Sequence, residues 1–196
     1  MIDVILMETK ELIKATITRL LEEHSADEIT VKMVCLESGI SKQTLYNHYY
    51  CVMDAAEDAF RDLFSQFCSG CGDSFSMAEV VRCALQMLSS KRRIAMHLYN
   101  SSHRSEFIAM VRNSGSELIS DMIDKCASEA GIEISFRDRE FMLDFYMYIF
   151  MGITENFFRG RMRADPCAIA EKCDAMTRGH MLHSLKNMRD LERGEF

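Results

Sequence analysis

Residues 30–50, TVKMVCLESGISKQTLYNHYY, constrain the fold more than any other stretch. They read as two short helices joined by a tight turn. Val31, Val34 and Cys35 fall at helical spacing and can face inward together. Thr30 stands where an N-cap is needed, because its hydroxyl can accept from the unpaired N–H groups of the first turn. Gly39 ends that helix where a left-handed residue costs least. Ser41 caps the next helix, and Leu45 with Tyr49 gives it an inward face. The small Cys35, four residues before Gly39, lets two such helices cross closely and steeply, the arrangement of a helix-turn-helix.

That second helix leaves Lys42, Gln43, Thr44, Tyr46, Asn47 and His48 outside the expected core. Gln43 and Asn47 are four apart and share a face, where amides can bond base edges in a major groove, adenine above all. Lys42, Thr44 and Tyr46 can hold phosphates, which fixes register without reading sequence. A plain helical hairpin with a polar outer face has the same spacing. The wording of the motif separates the two. ITVKMVCLESGISKQTLYNHY resembles the N-terminal DNA-binding domain of the TetR family of transcriptional regulators, and GISKQTLYNHY over 39–49 is its most specific part. The likeness spans about 9–60. It implies that Thr30, Lys42, Gln43, Thr44, Tyr46, Asn47 and His48 contact DNA. Lys32, within the motif, and Ser41, at the helix start, complete the expected set. The family's lysine at the start of the following helix is Val52 here, so one phosphate contact is missing. The wording of the head is also similar to TetR-like regulators of dihydroxyacetone kinase operons, some of which respond to a partner protein. Activation therefore stays open beside repression.

The rest of the chain suits an all-α protein: a three-helix head followed by a helical-bundle body. Proline occurs once, glycine nine times, and no sustained alternation suggests strands. Ile13, Ile17, Leu20 and Leu21 form an apolar stripe on a first helix over 10–23. A helix over 52–68 presents Met53, Ala56, Phe60, Leu63, Phe64 and Phe67; in the family it links head to body. SGCGDS at 69–74 is the clearest break. Ser76 and Glu79 form a capping-box pattern opening a helix to about residue 89. A short helix over 91–100 precedes a long one ended by Gly131, in which Gly115 marks a bend or a close approach. The next helix, about 136–161, is apolar nearly all round from 141 to 158. Asp165 and Pro166 open a single last helix over 166–191. The expected domains are 1–50, DNA-binding, and 51–196, effector-binding and dimerising. The resemblance implies a homodimer through the last two helices, about 136–161 and 166–191, double-stranded operator DNA as partner, and a small-molecule or protein effector. Met87, Met96, Tyr99, Phe107, Met110, Tyr146, Met147 and Phe150 could line a cavity, with His97, Tyr99 and His103 as orienting groups, but ordinary core packing accounts better for any one of them and no pocket residue is assigned.

The net charge of -7 argues against ready DNA affinity. Residues 1–60 hold five Lys/Arg (10, 14, 19, 32, 42) against eleven Asp/Glu. Few counterions would be released, so binding requires the charges to be segregated. The competing reading is a protein-interaction module with a degenerate, acidic head. A thiol redox sensor at Cys68 and Cys71 is a third. No nucleophile and base, phosphate-cradling glycine loop or acid pair suggests an enzyme, so no catalytic residue is assigned. Cysteines without disulfide-scaffold spacing, and the lack of a signal peptide or long apolar run, suit a cytoplasmic protein. His180 and His183, with Cys173, could bind a metal but read better as a polar stripe; no metal or cofactor is expected.

Overall fold

The computed structural model describes residues 2–68, 76–192 and 194, with side chains over 8–66 and 76–192. SGCGDS at 69–74, Cys71 and the side chain of Cys68 lie outside the described residues. The described residues are all-α: α1 (Ile2–Glu23), α2 (Val31–Ser38), α3 (Lys42–His48), α4 (Val52–Cys68), α5 (Met77–Ser90), α6 (Arg92–Tyr99), α7 (Arg104–Ala130), α8 (Phe136–Arg159), α9 (Pro166–Thr177) and α10 (His180–Glu192). They form two compact units. One comprises 1–66 with 90–111, the other 67–89 with 112–196.

In the first unit, Ile13, Ile17, Leu20 and Leu21 of α1 are buried, as their spacing predicts. The helix extends back to Ile2, so residues 2–8, which the sequence leaves open as helix or loose chain, belong to α1. Val34 of α2 and Leu45 of α3 are fully buried, while Val31 and Cys35 are half-buried. Ala55, Ala56, Ala59, Phe60 and Phe64 form the buried face of α4. Phe60 meets the edge of the Phe107 ring at 5.6 Å. Polar contacts fix α6 to α1. His97 Nδ1 donates to the Leu21 carbonyl at 2.8 Å, and Lys91 pairs with Glu22 at 3.4 Å. Asp27 accepts from the Ser102 amide and from its hydroxyl, which lowers the Asp27 pKa. Tyr99 accepts from Arg104 at 2.7 Å. The polar groups of His97 and Tyr99 are thus engaged in holding this unit.

In the second unit, the expected capping box opens α5: the Ser76 amide donates to Glu79 at 3.2 Å and the Glu79 amide to the Ser76 hydroxyl at 3.3 Å. Gly115 of α7 is a close approach rather than a bend. A Cβ built there would lie 2.4 Å from the ring of Phe150 on α8. Asp165 caps α9, accepting from the Cys167 amide at 3.0 Å, with Pro166 in the first turn. The expected single last helix is divided. Arg178 leaves the helical region, Gly179 takes φ +74, and α10 restarts at His180. Glycine adopts that left-handed conformation without the Cβ penalty. Cys83 is buried and disulfide-bonded, although the spacing of the cysteines suggests no disulfide scaffold.

Candidate functional site

The turn between α2 and α3 is built as its caps require. Thr30 accepts from the Met33 amide at 3.3 Å. Gly39 closes α2 at φ +72. Ser41 accepts from the Thr44 amide at 3.0 Å and its hydroxyl lies 2.8 Å from that of Thr44. With Leu45 and Tyr49 turned inward, α3 exposes Lys42, Gln43, Tyr46 and Asn47, while Thr44 and His48 are half-exposed. Thr30, Lys32 and Ser41 are exposed at the starts of the two helices. Gln43 Nε2 donates to Asn47 Oδ1 at 3.0 Å. The two amides are therefore linked, and the bond leaves an acceptor and donors of the pair unused. Tyr50, absent from the expected set, is 90% exposed just beyond α3. The signal for it was the tyrosine pair at 49 and 50, of which only one can face inward.

Beneath this surface, Tyr49 ties α3 to its neighbours. Its hydroxyl donates to Asp58 at 2.7 Å and Lys10 lies over its ring at 5.3 Å. Burial, then the bond to Asp58, raises the Tyr49 pKa. Burial opposes the charge of Asp58, but the Tyr49 hydroxyl and the charges of Lys10, Lys14 and Arg61 outweigh it and lower its pKa. Lys14 is itself buried, yet its bonds to Asp62 and Glu11 hold its pKa above the ordinary value.

The ion pairs divide the cations of the head into two groups. Lys10 pairs with Asp58, Lys14 with Glu11 and Asp62, and Arg19 with Glu37. Lys32 and Lys42 have no ion pair with a described residue. The two uncommitted cations of residues 1–60 are therefore those in the helix-turn-helix. Val52 opens α4 half-buried and adds no charge.

The second unit holds a cavity of about 230 Å³ between the start of α5, the last turns of α7, α8 and the α9–α10 break. Of the residues that could line a cavity, Tyr146 does so, while Met87, Phe107, Met110, Met147 and Phe150 are buried core, as the ordinary-packing reading has it. The Tyr146 hydroxyl lies 2.8 Å from His180 Nδ1, and the Phe145 ring stacks on His180 with centroids 5.9 Å apart. His183 faces Asn187 at 3.1 Å. Cys173, His180 and His183 do not converge, because the helix break separates the cysteine from the histidines. Burial raises the pKa of both Cys126 and Cys173, which makes these thiols poor nucleophiles.

Residues 76–179 match the family model described as "Transcriptional regulator C-terminal region", so the class of protein is a helical transcriptional regulator. This match covers more than half of the 196 residues, and the chain belongs to the TetR family. The fold is similar to that of the dihydroxyacetone kinase operon activator DhaS, with a TM-score of 0.62 and 15% identity over 92% of this chain and 98% of that one. It is also similar to the fatty acid degradation regulator FadR from Bacillus halodurans, with a TM-score of 0.53 and 13% identity over 83% and 90% of the two chains. No curated protein matches the chain in sequence. Among the described residues, no helix is long and apolar enough to cross a membrane.

Proposed function

We propose that this TetR-family regulator binds operator DNA as a homodimer through residues 1–50, and that an effector held by residues 51–196 modulates that affinity. The exposed polar face of α3 carries the reading. Gln43 and Asn47 read base edges as a linked pair. Thr30, Lys32, Ser41, Lys42, Thr44, Tyr46 and His48, joined by Tyr50, hold phosphates on either side. The acidity of the head favoured an interaction module instead. Segregation of its charges weakens that alternative, because the cations held in ion pairs are not those on the proposed face. Fewer free cations imply modest non-specific affinity and a shallow salt dependence. Dimerisation is supported by the outer face of α8, where Phe141, Phe145 and Tyr148 are 62%, 44% and 72% exposed at helical spacing. Two heads of a dimer would enter successive major grooves about 34–36 Å apart.

The division of labour within α3 supplies the test. In a titration against a randomised duplex pool, Tyr46→Ala should lower affinity for all sequences. Gln43→Ala should change preference among them, with a loss of discrimination of roughly 1–3 kcal/mol at one base pair. Uniform loss from both would reject the assignment of base reading to Gln43.

A further inference from the structure

The cavity in the second unit has a chemistry that its position in the helix break does not explain. Its apolar wall is Met77, Met122, Met181 and Leu182. Met77 and Met122 are almost wholly buried, and thioether side chains adapt their shape to a guest. Two opposite charges of the lining, Asp174 and Arg178, bond to each other. The other two, Lys125 and Glu129, stand one turn apart on α7 and have no ion pair or hydrogen bond with a described residue. The order lysine then glutamate is the weaker one for pairing along a helix, so both remain available. The volume lies below the roughly 300–1,000 Å³ of sites for drug-sized ligands, which restricts the guest to metabolite size.

We propose that this cavity binds a small zwitterion with an apolar side chain, of the amino-acid class. Its carboxylate meets Lys125, its ammonium meets Glu129, and its side chain packs on Met77, Met122, Met181 and Leu182. Lys125 and Glu129 are both exposed at the rim, so a singly charged molecule would engage only one of them and forgo the second charge-assisted contact, with weaker binding. The role of this ligand as effector rests on the reading of the chain as a DNA-binding regulator; its binding does not.

Calorimetric titration of the full chain without DNA tests the site, using leucine, methionine and phenylalanine with two one-charge analogues, 4-methylpentanoate and 3-methylbutylamine. Saturable binding of at least one amino acid is expected, at least tenfold tighter than either analogue. Glu129→Gln should weaken the amino acid at least tenfold without weakening 4-methylpentanoate, and Lys125→Gln should weaken the amino acid likewise without weakening 3-methylbutylamine. Both residues are exposed, so the variants keep the fold, which circular dichroism checks. No binding of any of the three amino acids at millimolar concentration would overturn the proposal, as would equal binding of the analogues or indifference to both substitutions. DNA binding measured on the same samples separates the two readings. Ligand binding without DNA binding leaves the site standing and removes the regulator role. DNA binding without ligand binding removes the site alone.

Discussion

Tyr49 buries its ring below the polar face of α3 and gives its hydroxyl to Asp58, so one side chain sets both the packing and the polar anchoring of the helix. The inward role of Tyr49 was legible, because Leu45 lies one turn before it. Its hydroxyl partner was not, nor was the pairing of Lys14 with Asp62, 48 residues away. Periodicity identifies the face a residue occupies but carries no record of which distant charge meets it. The exposed set on α3 could be read for the opposite reason: its polarity is a property of one short helix. A pH prediction belongs to this scale. The folded-state pKa of Asp58 is lowered, so its contribution is present above its unfolded value and fades as pH falls through the folded one. Asp58→Asn should cost roughly 1–2 kcal/mol at neutral pH. In denaturant unfolding across pH, the gap to the wild type should close in the acid range. A gap that persists unchanged there would show that Asp58 acts without its charge.

At the scale of elements, α7 and α8 meet where Gly115 leaves no room beside Phe150, a ring with no exposure. Gly115→Ala should destabilise the protein by about 1–3 kcal/mol, since a fully buried ring cannot retreat without repacking. Urea unfolding measures it, and an unchanged midpoint would mean that the ring yields freely. The sequence marked Gly115 but left open which helix approached it. The division of the last helix was harder to see, because the apolar set continues past Gly179 in one period and a lone glycine often sits within a helix. Thus the cavity at that break was not legible, whereas the apolar surround of α8 was. Within one chain that helix buries Met142, Tyr146, Phe150 and Phe157 and leaves Phe141 and Tyr148 exposed. Replacing both exposed rings by glutamate should turn the proposed dimer into a folded monomer in sedimentation equilibrium. A doubly substituted protein that still dimerises would put the interface elsewhere.

For the molecule as a whole, a net charge of -7 and the proposed DNA-binding face are compatible only through the distribution of the charges. Lys10, Lys14 and Arg19 are consumed inside the head, and Lys32 and Lys42 stand at its helix-turn-helix. Such a surface cannot rely on bulk attraction, so the proposed recognition would rest on fit to a particular sequence and on two heads acting together. Selection of bound fragments from the source genome by the purified protein, at low and at moderate salt, tests this most directly. Enrichment of an inverted repeat with half-sites about one helical turn apart, persisting at moderate salt, is the predicted result. Absence of any enriched sequence at either salt, from protein shown to be folded and dimeric, would contradict operator binding.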